Sequence, residues 1–162
     1  MTLIDMAASM ATTGSNLSPM EAWKTKAFSS VQNSNLSAET VSWLSQVLYA
    51  LDQKDVEKYC SFMASDVALT FNNGQNTEPN TTGIDTAKTM LSDFWQTFRT
   101  IQHEEIGIFE AGNTIIHEAL NHYETLGGWK VSLRAVAVMT RNEEGLIEAL
   151  RIYTDQSPLF QA

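Results

Sequence analysis

The chain has 162 residues, 43% hydrophobic and 18% charged, with a formal net charge of -9 and one cysteine, Cys60. That length and balance fit one domain with its own core. One cysteine excludes a disulfide framework, and an acidic chain without clustered Lys and Arg excludes nucleic acid as a partner. No apolar run approaches the roughly 18 residues of a membrane span, and MTLIDMAASMATTG lacks the basic n-region and apolar core of a secretory signal. No membrane partner is expected, and the expected location is the cytoplasm. Sequons at Asn16, Asn35 and Asn80 then count as chance matches.

Residues 1–38 are rich in Ser, Thr, Asn and Ala and read as an N-terminal extension, loose over its first dozen residues. Ser18-Pro19-Met20-Glu21 is a helix start, and Met20, Trp23, Ala27 and Val31 follow at near-helical spacing. The segment 20–33 is expected to add a helix to the main body or to reach across to a partner subunit. Ser37 caps a stronger helix with Val41, Leu44, Val47, Leu48 and Leu51 on one stripe. A short helix from Asp55 carries Val56, Tyr59, Cys60 and Met63, and DVALTF over 66–71 alternates as a strand. Residues 72–83 form a polar loop, and Asp85 opens a third helix with Ala87, Met90, Leu91, Phe94, Trp95 and Phe98 on one side.

From Thr100 the period becomes two. Strands are predicted near 101–110, 113–125, 129–141 and 145–154, with turns at Gly112, Gly127-Gly128 and Gly145. Helices followed by a meander give an α+β domain over 39–162: a cone-shaped, curved antiparallel sheet packed against three helices and enclosing a pocket.

YALDQKDVEKYCSFMASDVALTF resembles the opening of nuclear transport factor 2-like domains, and EEGLIEALRIYTDQSPLF resembles the closing hairpin of their SnoaL-like, polyketide cyclase-like branch. The resemblance covers about 39–160. It implies a superfamily of cyclases, isomerases, epoxide hydrolases, dehydratases and non-catalytic binders. The places of the ketosteroid isomerase-like residues hold Val47, Phe71 and Ala137, and those of the limonene epoxide hydrolase-like residues hold Ala119, Asn121 and Ile152. Neither set can perform its family's proton transfers, so both activities are disfavoured.

The same register turns Leu69 and Phe71, then His117, Ala119, Asn121 and Tyr123, then Leu133, Ala135 and Ala137, then Leu150 and Ile152 toward one concave face. Trp95 lines this space, or Trp43 or Trp95 covers the alanine-rich wall and fills it. The expected ligand is a small lipophilic molecule, with no cofactor and no metal. His117 is the candidate acid or base, although a buried structural histidine is the stronger plain reading because no carboxylate partner is evident. Tyr123 is a candidate oxyanion donor, and Asn121 can orient a carbonyl. His103 and His122 are expected on the outer face or at a subunit contact. Glu104 and Glu105 point to opposite faces, and Arg151 and Asp155 form an ion pair or tie the tail. The expected function is a cofactor-free isomerase, cyclase or dehydratase acting on a small hydrophobic carbonyl or polyketide-like compound. The alternative is a non-catalytic ligand-binding or dimerisation domain. Ile116, Leu120, Val136 and Val138 project from the opposite face and predict a homodimer.

Overall fold

The computed structural model describes residues 17–31, 33–72 and 79–160. The looseness expected for the first dozen residues, and most of the polar loop after Asn72, lie outside the described residues. The N-terminal segment begins with α1 (Pro19–Ala27), capped by a Ser18–Glu21 capping box, and β1 (Asn33–Ser34). The helical layer continues with α2 (Ala38–Asp52), capped by the Ser37 hydroxyl, and α3 (Val56–Cys60), capped by Asp55. After β2 (Met63–Phe71) and β3 (Thr81–Thr82) comes α4 (Ile84–Gln96). Then β4 (Phe98–Ala111), β5 (Thr114–Thr125), β6 (Lys130–Arg141) and β7 (Ile147–Thr154) run as a meander.

One curved, unclosed sheet holds all the strands in the order β1-β4-β5-β6-β7-β2-β3. The long strands β4 to β7 pair antiparallel, whereas β2 joins β7, and β1 joins β4, in parallel. Met63 and Phe98 correct the expected helix bounds, since both begin strands. The N–H of Ile147 bonds Phe62 O, which draws the chain after Ser61 into the sheet, and the Thr97 hydroxyl closes α4 on Phe94 O.

The core lies between the concave face and α2 to α4. Leu44, Val47 and Leu48 meet Ile108, Ile115, Met139 and Leu150, all nearly inaccessible to solvent. The Tyr59 and Trp95 rings meet edge to face at 5.2 Å and close the α3–α4 side. Cys60 is buried there, and burial pushes its thiol up to about 11. The segment 19–34 packs on its own chain. Ala27 and Val31 are buried, Trp23 meets Tyr49 edge-on, and β1 covers part of the outer edge of β4.

Glu110 near the end of β4 ties helix to sheet. Its carboxylate accepts from Thr40 Oγ1 at 2.6 Å, from Ser37 N at 3.2 Å and from the Arg141 guanidinium at 3.1 Å. Arg141 also lies over the Trp43 ring. The Thr40 hydroxyl has the largest effect on the Glu110 carboxyl; with the Ser37 N–H and Arg141 it outweighs desolvation, the second largest, and holds the group below its usual 4.5. A depressed folded value means that this stability is present above the unfolded value and is lost as the pH falls through the folded one. Glu110→Ala is expected to cost about 2–3 kcal/mol in neutral urea melts, with the gap to wild type narrowing in acid. A gap independent of pH would show that the carboxylate charge contributes nothing.

Candidate functional site

The site is built where α2 ends. Its last turn is a Schellman closure: the Asp55 N–H reaches Ala50 O at 2.9 Å and the Lys54 N–H reaches Leu51 O at 2.8 Å, with Lys54 left-handed at φ 55°. This leaves Asp52 on the final helical residue, aimed at β4. Asp52 Oδ1 lies 2.6 Å from His103 Nδ1. Its Oδ2 accepts from the His103 backbone N–H at 3.0 Å and from the Trp23 indole N–H at 2.6 Å. The Asp52 side chain is 2% exposed and that of His103 7%. Burial alone pushes the His103 imidazole down. The Asp52 hydrogen bond and the charges of Asp52 and Glu105 outweigh it and hold the ring above its usual value. With Nδ1 committed to Asp52, Nε2 is the nitrogen left for the cavity.

A second acid–imidazole pair lies further along the sheet. His117 Nδ1 is 3.0 Å from Glu105 Oε2, and the Glu105 side chain has no solvent exposure. Glu105 Oε1 and Asn121 Oδ1 are buried without a hydrogen-bond partner among the described residues. Asn121 Nδ2 donates to the Tyr123 hydroxyl at 3.4 Å, which leaves the phenol proton free. Burial raises the Tyr123 phenol above its usual value despite that bond, and burial raises Tyr59 as well.

Two adjoining cavities, of about 30 and 50 Å³, share Leu51, Tyr59, His103, Asn121 and Ile152. The first reaches His117, Ala119, Ala135 and Ala137, and the second reaches Phe71, Trp95 and Tyr123. Of the residues expected at the concave wall, Leu69 and Leu133 differ: both are buried and line neither cavity, and Leu69 is packed beside Leu150. His103 is a correction, because it faces inward. Direct cross-strand partners share a face, and His103 pairs with Asn121. A bulge between Glu105 and Gly107 inserts Ile106, so an unbroken count of two along β4 assigns the wrong side. His117 also has the carboxylate partner that the sequence left unseen. His122 is on the outer face, 2.8 Å from Ser132 Oγ and 3.1 Å from Glu104 Oε2. Asp155 accepts the Ser157 N–H and forms no ion pair with Arg151 among the described residues. No group of three or more metal-ligating side chains occurs among the described residues, and no described helix is long and apolar enough to cross a membrane.

Asp52, His103 and Glu105 thus carry the site without standing out by spacing. The available signals are an acid in the last turn of a helix with no base beside it, and Glu105 at the head of the apolar run Ile106-Gly107-Ile108-Phe109.

A family model described as a SnoaL-like domain matches residues 44–150. The chain belongs to the SnoaL-like domain family. Solved structures place this SnoaL-like chain in the NTF2-like fold. An NTF2-like protein of unknown function from Burkholderia pseudomallei is similar at 14% identity and TM-score 0.66, over 77% of this chain and 97% of the other. TerC co-crystallised with polyporic acid is similar at 15% identity and TM-score 0.65, over 76% and 97%. A candidate SnoaL-like polyketide cyclase from Shewanella denitrificans is similar at 9% identity and TM-score 0.65, over 76% and 96%. No curated protein matches the sequence.

The raised His103 value sets a pH dependence in this SnoaL-like domain. A group whose folded pKa is raised adds stability that is complete below the unfolded value, near 6.5, and is lost as the pH climbs through the folded value. Urea melts at increasing pH above 6.5 are expected to show wild type losing stability that His103→Gln never had. Parallel curves for the two proteins would exclude an ionised Asp52–His103 pair.

Proposed function

We propose that this domain is a cofactor-free enzyme of the isomerase, cyclase or dehydratase type, moving protons within a small hydrophobic carbonyl or polyketide-like compound. The observation that carries the reading is the buried Asp52–His103 pair at the edge of both cavities, with Nδ1 held and Nε2 left for a substrate. Asp52 fixes the ring's tautomer and stabilises the imidazolium that forms. His103 Nε2 takes a proton from a carbon next to a carbonyl. The C–H electron pair becomes an enolate, whose oxygen receives the free Tyr123 hydroxyl proton as a hydrogen bond.

In a dehydration, protonated His117 passes its proton to the β-hydroxyl. The C–O bond breaks, the enolate electrons form the new C=C, and water leaves. His103 then returns its proton to solvent and His117 regains one. In an isomerisation, His103 returns the same proton to a different carbon and no bond to oxygen breaks. Asn121 Oδ1, buried without a partner, is matched to a substrate hydroxyl. Ala119, Ala135, Ala137, Phe71, Trp95 and Ile152 supply an apolar surround in which each polar contact counts for more. TerC, which shares this fold, is co-crystallised with polyporic acid.

The alternative, a non-catalytic binder, is favoured by one observation. Phe71, Ala137 and Ile152, all apolar, line the cavities at places where the resemblance puts catalytic acids. A panel of β-hydroxy ketones and hydroxylated aryl ketones, followed by the absorbance of the conjugated product, separates the two. Turnover is expected to fall about a hundred-fold or more in His103→Gln and in His117→Gln. It is expected to fall about five-fold in Asn121→Leu, from the loss of roughly 1 kcal/mol of hydrogen bonding. Binding of a panel compound that His103→Gln and His117→Gln leave unchanged, with no product formed, would replace the enzyme reading with the binder.

The convex face of the sheet carries Phe109, Ile116 and Tyr153, exposed by 44%, 37% and 49%, around the half-buried Leu120, Val136 and Val138. We propose that a second copy of the chain covers it, giving a homodimer. Light scattering is expected to return twice the chain mass, and Ile116→Glu to return the monomer. A wild-type monomer at micromolar concentration would rule this out.

A further inference from the structure

The proton-transferring pair is not completed by the matched domain alone. Oδ2 of Asp52 takes two donors, the His103 backbone N–H and the Trp23 indole, and Trp23 lies on α1, before the 44–150 match begins. The indole bond is the shorter, 2.6 Å against 3.0 Å. The helix that brings it is anchored independently. Trp23 packs edge-on against Phe28 and Tyr49, Lys26 Nζ reaches Gln102 Oε1 at 3.3 Å, and Ser30 Oγ reaches Glu104 Oε1 at 2.7 Å. Docking of α1 therefore does not need the indole bond, and that bond needs its own explanation.

We infer that Trp23 is a positioning residue for the Asp52–His103 pair: its indole N–H locks the carboxylate so that Oδ1 is presented to the imidazole. The inference rests on the reading of this pair as the proton-transfer centre. A carboxylate whose two oxygens are unequally held can turn about its terminal torsion, which is soft in aspartate. Two donors on Oδ2 remove that freedom and leave Oδ1 for His103 Nδ1 alone. They also draw charge from the carboxylate and so moderate its pull on the imidazolium. The N-terminal segment, absent from the matched domain, thereby sets both the geometry and the basicity of the pair.

Trp23→Phe keeps an aromatic ring between Phe28 and Tyr49 and removes the donor. The carboxylate, relieved of one hydrogen bond, then holds the imidazolium more strongly. The titratable groups facing His103 are Asp52 from α2, Tyr59 from α3, Glu105 on its own strand, and His117 and Tyr123 from β5. Towards the same space α4 brings Phe94 and Trp95, β6 brings Ala135 and Ala137, and β7 brings Ile152. All of them are unchanged in this variant.

The test is an NMR titration of the His103 ring in the full chain, assigned with His103→Gln. Trp23→Phe is expected to raise the His103 midpoint by about half a unit to one unit, the equivalent of one lost hydrogen bond. In wild type, one of the four tryptophan indole N–H signals is expected to shift with the same midpoint as His103 and to vanish in Trp23→Phe. An unchanged midpoint in a folded variant would reduce Trp23 to an anchor. If the variant does not fold, the wild-type indole signal decides alone: none moving with His103 overturns the role. The titration needs no substrate. A shifted midpoint in a protein without turnover would therefore overturn the enzyme reading and leave the positioning role standing.

Discussion

A carboxylate at the C-terminal end of a helix, shut away from water, is a costly arrangement, and the whole site is organised around meeting that cost. The helix dipole puts partial negative charge where Asp52 sits, and α2 has no basic residue in its last turn to offset it. Burial removes the solvation of the charge. What remains is the set of three donors: the indole from α1, the backbone N–H of β4 and the His103 ring. The β4 donor is an edge group. In that stretch β5 lies on one side only, and the Asp52 carboxylate takes the N–H that a neighbouring strand otherwise claims. One side chain thus fixes the relative placement of α1, α2 and the sheet, and an imidazole of raised basicity follows from the same contacts.

The bulge in β4 does the corresponding work for the second pair. Before it Ile101, His103 and Glu105 face the cone's interior, and after it Ile108 does. Without the bulge, strict alternation from an inward Glu105 puts Ile108 on the outer face, and a long apolar side chain is exposed to solvent. With it, Ile108 pairs directly with His117, and Glu105, one step down the ladder opposite Ala119, reaches the His117 ring along the diagonal. The small Ala119 side chain beside Glu105 leaves the room for that reach. Both acid–imidazole pairs therefore join neighbouring elements, which is why mutual distance in the chain reveals neither.

That difference marks what could be read from the sequence. The change of period from 3.6 to two at the end of α4, and the caps at Ser18, Ser37 and Asp55, are local signals, and they yielded the element order and the α+β class. The inward facing of His117, Ala119, Asn121 and Tyr123 was legible because β5 runs without interruption, so that alternation alone assigns the face. His103 was not, because one inserted residue reverses the alternation of β4. Asp52 and Trp23 are 29 residues apart and meet only through the docking of α1 on α2, a tertiary event with no periodic trace. The visible hint was local inconsistency. An acid opposing a helix dipole, and a glutamate amid buried strand residues, each break a rule that folding alone favours, and such breaks collect at sites.

The position of these groups also orders the interior chemically. Phe71, Ile152, Ala137 and His117 are successive partners across β2, β7, β6 and β5, so the row changes from apolar to basic only at its last member. Every ionisable group of the site lies on the β4–β5 side or on the helix ends facing it, and the β2–β7–β6 wall presents hydrocarbon. A ligand entering this space meets a gradient of polarity along one axis. Its carbonyl or hydroxyl end is drawn toward His103, Asn121 and Tyr123, because turning it toward Phe71 and Ile152 strands polar groups without partners. Phe71, Ala137 and Ile152 thus make one wall of the interior apolar and leave the carboxylate–imidazole pairs as the polar side of the space.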